Sequence, residues 1–341
     1  MTPFEPYPLR LTFGLRHYAF GGRAIAERLG KEGLPDQTVA ETWEVSDHDD
    51  APATITNGRY RDQPLRTLVE HYPNELVRPG WHGTRFPLLV KFLDASHELP
   101  IHVHPDDARA RERYGEPNGK NEAWHVLWAE PDAHVYVGVR AGTTRAELER
   151  SCLQHRVKEL MHRYPITAGS TVHVPGGVLH TFGPGMLILE VQQTSDLAAS
   201  VMPEDVYGRP LPRERWTANI HETLDLLTCP AQPRPTAGQP VDDGSWQRTI
   251  GCVDPAFVLE RWAFGGAIRS LPGNGGCATL TNLAAPLDIE YAGGRFTLDQ
   301  ATSCLLPAAL GEVEITVKDQ RQGDLVVCRL PSEEESSRAL S

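Results

Sequence analysis

Apolar positions along this chain come mostly in short runs broken by turn residues. Residues 87–103 read PLLVKFLDASHELPIHV, two runs rich in Leu and Val around a polar turn, the pattern of adjacent buried strands. Residues 124–139, WHVLWAEPDAHVYVGV, set a Glu-Pro-Asp turn between two apolar and aromatic runs, a hairpin signature. The period changes over residues 143–163, where Leu148, Cys152, Leu153, Val157, Leu160 and Met161 recur at three- and four-residue spacing. This predicts one helix or two short ones, capped by Thr143 or Thr144 and closed by Pro165. Strand-like text returns over residues 169–174, crosses Pro175-Gly176-Gly177 and resumes over residues 178–191 with a Gly-Pro-Gly break. A second helix is predicted over residues 212–227.

Residues 228–243, TCPAQPRPTAGQPVDD, are rich in Pro and polar side chains and form the best linker candidate. Beyond them come further short strands with Gly turns, through GGRFTL, SCLLPAALGEVEITV and GDLVVCRL. The final stretch, with Glu333–Glu335 followed by Ser336 and Ser337, reads as a frayed tail. Many short strands with few helices predict a mainly β chain of two β-sandwich or jelly-roll units rather than a parallel α/β sheet. The first unit spans residues 1–235 with helical segments near 143–163 and 212–227; the second, a degenerate β domain, spans 236–341.

Composition narrows the function classes. The 341 residues carry 33 Lys and Arg against 45 Asp and Glu, a net charge of −12. The arginines are scattered among acids with no basic run, which argues against a nucleic-acid partner. No stretch approaches the roughly 20 apolar residues that cross a bilayer, and the N-terminus lacks a signal-peptide pattern, so neither a membrane nor secretion is expected. The six cysteines are far apart with no CxxC pair, and read as reduced, mostly buried thiols in the cytoplasm.

All 14 histidines lie at or before His221, so histidine chemistry belongs to the first unit. His102 and His104, in PIHVHP, sit at i and i+2 on a predicted strand, and both side chains leave the same face. Glu122, in GKNEAW, and His180, after the Pro-Gly-Gly turn, complete a three-nitrogen, one-oxygen set. Such a set suits zinc, or Fe, Mn, Co or Ni, with a position left for water or a substrate oxygen. HxH followed by Glu and a distant His is the general pattern of a cupin jelly roll, a fold with many activities. His125 and His134 lie inside strands without evident partners and read as structural. Lys91 interrupts the apolar run PLLVKFL, and Glu190 ends MLILE; each demands a buried partner. Glu41 and Glu44 alternate with Thr42 and Trp43, so one of these faces reads as simple strand surface.

Several blocks, in order, resemble class I mannose-6-phosphate isomerases of the short bacterial form. They are AETWEVSDH (40–48), FPLLVKFLDA (86–95), IHVHPDD (101–107), GKNEAW (119–124), VPGGVLHTFGPGMLILEVQQTSD (174–196) and, more weakly, PRERW (212–216). The resemblance covers roughly the first two thirds of the chain. It implies zinc, one per chain with other divalent metals possible, on His104, Glu122 and His180. At the position of His102 the family usually has Gln, so this chain offers an imidazole instead. By the same resemblance Glu41, Lys91, Lys120, Glu190 and Asp196 line the pocket. Glu190 and Asp196 are then candidates for the carbon base, and Lys91 and Lys120 for positive charge on an oxyanion or phosphate.

Two further departures stand out. The family carries an Arg four residues after the Asp of its SD motif, where this chain has Ser200, with no arginine before Arg209. The family's Trp-Gly-Gly appears as Phe20-Gly21-Gly22. The implied activity is aldose–ketose isomerisation of mannose 6-phosphate to fructose 6-phosphate through a cis-enediol. The missing guanidinium leaves open another phosphorylated, sulfonated or neutral sugar, with an arginine from elsewhere as the other resolution. A non-catalytic sugar-binding cupin and a metal-dependent oxygenase are the remaining readings. The expected partner is a small-molecule sugar or sugar phosphate, for a monomer or homodimer.

Overall fold

The computed structural model describes residues 3–228, 232–242, 246–317 and 321–339. Its central layer is an antiparallel six-stranded sheet in the order Gly14–Arg16, Glu41–Val45, Leu88–Ala95, Met186–Gln193, Glu122–Ala129, Thr171–Val174. A five-stranded sheet packs on one side, in the order Ala199–Ser200, His102–Val103, His180–Phe182, His134–Val139, Met161–Pro165. Side chains alternate along each strand, so Leu93, Trp124, Val126 and Ile188 meet Val135, Val137 and Phe182 between the two sheets.

The opposite face of the central sheet is equally apolar. Leu88, Val90, Phe92, Leu187, Leu189 and Val191 share one core with Leu259, Leu305, Val326 and Cys328. Those four belong to a seven-stranded sheet ordered Leu9–Arg10, Thr302–Leu306, Ala278–Asn282, Gln322–Arg329, Val258–Gly265, Gln247–Val253, Gln239–Asp242. Leu9–Arg10, at the start of the chain, is therefore an edge of a sheet built otherwise from its last third. A four-stranded sheet of Ala267–Ser270, Val313–Val317, Leu287–Tyr291 and Gly294–Leu298 closes the far side over Leu280, Leu325 and Val327.

The two expected neighbouring pairs in the first half do not form. Leu88–Ala95 lies in the central sheet and His102–Val103 in the sheet facing it. Glu122–Ala129 pairs with Met186–Gln193 and Thr171–Val174, whereas His134–Val139 pairs with His180–Phe182 and Met161–Pro165. In each case the turn carries the chain across the sandwich. Turn residues record a reversal but do not choose between a partner alongside and one opposite.

The predicted helical segment over 143–163 is a helix only at Arg145–Leu153, where Thr144 and Glu147 form a reciprocal capping box. A short 3-10 turn at Val157–Leu160 follows, and Met161–Pro165 is an edge strand. The second helix, Arg213–Leu226, starts after Pro212 as expected. Leu148, Cys152, Trp216, Ile220 and Leu224 of the two helices cover the outer face of the five-stranded sheet at Val103, Leu179 and Ala199.

The tail also differs from expectation, since Glu333–Ala339 is helical. The buried guanidinium of Arg329 holds Glu260 at 2.8 Å and Glu335 at 2.6 Å, which fastens that helix to the last strand. Neither acid of the Glu41–Val45 strand is at the surface. Glu41 points into the sandwich, and on the other face Glu44 accepts from Lys31 Nζ at 2.9 Å and from Thr42 Oγ1 at 2.6 Å. Cys152, Cys252, Cys277, Cys304 and Cys328 are buried free thiols, while Cys229 lies outside the described residues. Among the described residues no helix is long and apolar enough to cross a membrane.

Candidate active site

Two adjacent strands of the five-stranded sheet, His102–Val103 and His180–Phe182, bring the histidines together, with His104 just past the end of the first. His180 is directly opposite His102 in register, and Ser200 faces His102 from the other side. The ring centroids of His102 and His180 lie 4.2 Å apart, and those of His102 and His104 4.7 Å. One ring nitrogen from each of His102, His104 and His180 falls within 4.8 Å of the others, a group that could hold a metal ion.

Each imidazole is fixed from behind. Nδ1 of His102, His104 and His180 lies 2.7, 2.7 and 2.9 Å from the carbonyl oxygens of Pro100, Leu197 and Val178. A carbonyl only accepts, so Nδ1 carries the proton and Nε2 presents a lone pair inward. Burial, with the Lys120 cation adding to it, pushes His104 down to about 3, which keeps it in the neutral, ligating form.

Glu122 enters from the central sheet. Its two carboxylate oxygens each lie 3.2 Å from an Nε2, of His104 and of His180, and Trp124 Nε1 donates to it at 2.9 Å. The Nε2 atoms of His104 and His180 are buried with no hydrogen-bond partner. Lone pairs therefore converge on one point where the protein supplies no donor. Three imidazoles and a carboxylate so arranged fit a divalent cation.

Glycines let the supporting loops interlock. Gly177 has φ +86°, and a Cβ there would meet Thr228 Oγ1 at 1.8 Å. A Cβ on Gly119 would lie 2.3 Å from the Pro105 carbonyl oxygen and one on Gly176 2.6 Å from it. The loops after His104, before Glu122 and before His180 thus pack backbone to backbone, and Gly177 donates its N–H to the His104 carbonyl at 2.7 Å.

Charged side chains line the adjoining wall. Lys91 and Glu190 are direct cross-strand partners, so both enter the sandwich from its central sheet. Lys91 Nζ lies 3.1 Å from Glu41 and 3.3 Å from Glu190. Trp43 Nε1 donates to the other Glu41 oxygen at 2.7 Å. Burial works against the Lys91 charge, yet Glu190 and Glu41 more than offset it and hold the ammonium above its ordinary range. Burial and the neighbouring Glu122 charge push Glu190 well above the usual carboxylate range against the pull of Lys91 and Lys120, with Glu41 also raising it. Its Oε1 is near Lys91 but makes no aligned hydrogen bond.

Lys120 lies 3.8 Å from Glu122 and 3.9 Å from Asp196. Asp196 stands in the cavity with about a third of its side chain open to solvent; burial raises its carboxyl against Lys120 and Lys91. Glu41, Lys91, His102, His104, Lys120, Glu122, Glu190 and Asp196 all border one cavity of about 470 Å³, and His180, fully buried, stands next to His102 on the neighbouring strand. His125 and His134 stand apart, against Thr171 Oγ1 at 3.0 Å and the Asp132 carbonyl at 3.1 Å.

The structure adds residues that motif reading passed over. Tyr18, Arg215 and Asn219 border the cavity. Tyr18 sits only two residues before the Phe20-Gly21-Gly22 departure, and Arg215 lies inside the weak PRERW block; among 28 arginines neither position carried a signal of its own. Ser200 is held by backbone contacts, donating to the Ile101 carbonyl at 3.1 Å and accepting from Met202 N at 3.1 Å. Arg209 folds back on Asp205 of its own turn at 2.7 Å and does not border the cavity.

Residues 9–127 match the family model of the phosphomannose isomerase type I catalytic domain, a span that holds His102, His104 and Glu122. The chain is 31% identical over 267 residues to mannose-6-phosphate isomerase of Streptococcus mutans, covering 77% of this chain and 80% of that one. It is 35% identical over 250 residues to the mannose-6-phosphate isomerase ManA of Bacillus subtilis, covering 73% and 76%. The crystal structure of mannose 6-phosphate isomerase from Bacillus subtilis superposes with a TM-score of 0.83 at 26% identity, over 94% of this chain and 99% of that one.

Proposed function

The chain belongs to the type I phosphomannose isomerase family, and from that premise we propose that it interconverts mannose 6-phosphate and fructose 6-phosphate. The observation that carries the reading is a converging ligand set, His102, His104, His180 and Glu122, at one end of a cavity whose wall bears paired lysines and carboxylates. Zinc is the ion that this set of three nitrogens and one oxygen suits best, one per chain. When bound there, it would orient and polarise the oxygens on C1 and C2 of the open-chain sugar.

The remaining chemistry falls to side chains. Isomerisation moves a proton from C2 to C1, and a second proton passes from the C2 hydroxyl to the oxygen on C1. A carboxylate close to the sugar carbons can take and return the first. Glu190 suits that role, with an Oε1 that makes no hydrogen bond although it faces Lys91 at 3.3 Å, and a carboxylate whose basicity is raised by burial. Lys91, bridging Glu190 and Glu41, keeps Glu190 oriented and sets a permanent positive charge beside the enediolate that develops. Lys120 and Asp196, 3.9 Å apart, stand where the second proton could be exchanged between oxygens. Residues 1–235 form the metal-binding unit in this reading, residues 236–341 support it, and the enzyme works in the cytoplasm.

The test is turnover of mannose 6-phosphate by purified, zinc-reconstituted protein, beside a chelated control and Glu190→Gln. Zinc-dependent formation of fructose 6-phosphate that the variant loses supports the reading. A folded, metal-loaded protein without turnover overturns it.

A further inference from the structure

A sugar phosphate brings a dianion into the cavity, and the charges already there leave few groups to receive it. Lys91 is engaged by Glu41 and Glu190, and Lys120 stands between Glu122 and Asp196. The third lining cation is Arg215, which has no carboxylate or hydrogen-bond partner among the described residues. Two other acids that border the cavity are occupied: Asp205 by Arg209 and by the backbone N–H groups of Tyr207 and Arg209, and Glu222 by the Tyr114 hydroxyl at 2.6 Å. Glu204, the remaining rim acid, makes no ion pair among the described residues.

Arg215 is exposed, but its base is rigid. It sits in the first turn of the Arg213–Leu226 helix, and the next residue, Trp216, is buried and donates Nε1 to the Val201 carbonyl at 2.8 Å. Asn219, one turn on, lies on the same helical face and also borders the cavity. The helix packs directly on the Ala199–Ser200 strand, whose Ser200 is the register partner of His102. Arg215 therefore overhangs the side of the cavity where Ser200 offers only a hydroxyl, and its guanidinium is free to make the paired hydrogen bonds that phosphate oxygens accept.

We propose that Arg215, assisted by the Asn219 amide, is the phosphate-recognition residue of this chain. The sugar would then run with C1 and C2 at the histidines and its phosphoryl group toward the Arg213–Leu226 helix. The inference rests on the reading that the substrate is a sugar phosphate.

The test compares wild type with Arg215→Ala, Arg215→Lys and Asn219→Ala, by steady-state kinetics on mannose 6-phosphate and by calorimetric binding of inorganic phosphate. Arg215→Ala should lower kcat/KM by about ten-fold or more, most of it in KM, and weaken phosphate binding to match, with Arg215→Lys recovering part. A merely structural role would lower the melting temperature and kcat instead. An active wild type whose KM and phosphate binding are unmoved by Arg215→Ala overturns the proposal. If wild type binds phosphate through Arg215 yet does not turn over mannose 6-phosphate, the isomerase reading fails and this one stands; if it binds no phosphate and shows no turnover, both fail.

Discussion

Asp254 Oδ2 accepts a hydrogen bond from Asn121 Nδ2 at 2.9 Å, joining the seven-stranded sheet to the segment that carries Lys120 and Glu122. Asp254 follows the Gln247–Val253 strand and is buried; His173 Nε2 contacts the same oxygen at 2.9 Å. Asn121 in turn accepts from Gly176 N at 2.9 Å, in the turn that leads to His180, and its own N–H donates to Gln193 Oε1. A residue outside the cavity thus fixes two of the loops that aim the proposed metal ligands. Asp254→Ala should weaken metal binding by up to about ten-fold, less than loss of a direct partner of a ligand costs, because Asp254 acts through Asn121. Competition with a chromogenic chelator checks this, with melting of the metal-free protein as the control for general damage.

The ligand set makes unequal predictions for its members. His104→Ala and His180→Ala each remove a converging nitrogen and should abolish stoichiometric zinc. His102→Gln puts an amide oxygen where the imidazole stands, a weaker ligand, and should retain zinc at reduced affinity. Metal analysis after dialysis against graded chelator distinguishes these results, and equal retention in all three variants would rule out the assigned centre.

Glu190→Gln keeps the shape of the side chain and removes the proposed base, so kcat should fall by about 10²–10⁴-fold with zinc content unchanged. The wild-type pH profile carries a second sign. Glu190 is raised by burial, Glu122 and Glu41 and lowered by Lys91 and Lys120, with a net upward shift. A base with a raised pKa protonates earlier on acidification, so the acid limb of kcat should lie above the ordinary glutamate range and vanish in the variant.

Lys31 and Glu44, 2.9 Å apart and almost wholly buried, sit away from the cavity, and Lys31 Nζ also donates to the Ala301 carbonyl at 3.0 Å. Removing one partner strands a buried charge. Lys31→Met should cost about 3 kcal/mol in denaturant unfolding, and the double change Lys31→Met, Glu44→Leu should recover part of that loss. A neutral single variant would contradict this account of the pair.

At the C-terminus Arg329 lowers Glu335 to about 2 from an ordinary value near 4.5. A depressed carboxyl contributes stability that is full above its unfolded value and lost as pH falls through the folded one. The helix Glu333–Ala339 should therefore loosen between about pH 4.5 and pH 2, and Glu335→Gln should remove that dependence. Because the Glu335 side chain keeps 22% of its surface open to solvent, which screens the pair, the effect at neutral pH is about 1 kcal/mol. Hydrogen exchange over the last strand and helix as a function of pH is the measurement.

Much of the site could be read from the chain. The alternation of strand side chains put His102 and His104 on one face, and Lys91 and Glu190 stood out because a charge inside an apolar run needs a partner. Glu41 and Glu44 were harder: a strand with acids on both faces reads as exposed on one, and only Lys91 on one face and Lys31 on the other account for the burial of both. The frayed-tail expectation failed for the same reason, since a run of glutamates looks solvated until Arg329 is found beneath it.

The sequence by itself determined local matters: strand spacing, helix starts at Thr143 or Thr144 and near Pro212, the His-x-His face and the family motifs. These follow from backbone periodicity and side-chain chemistry, which act over a few residues. The tertiary structure alone decided which sheet each strand joins, that Leu9–Arg10 pairs with Thr302–Leu306, that Asp254 reaches Asn121, and that Arg215 overhangs the cavity beside Ser200. Those relations depend on which apolar faces bury one another across long stretches of chain, and that choice is settled by packing the whole core at once.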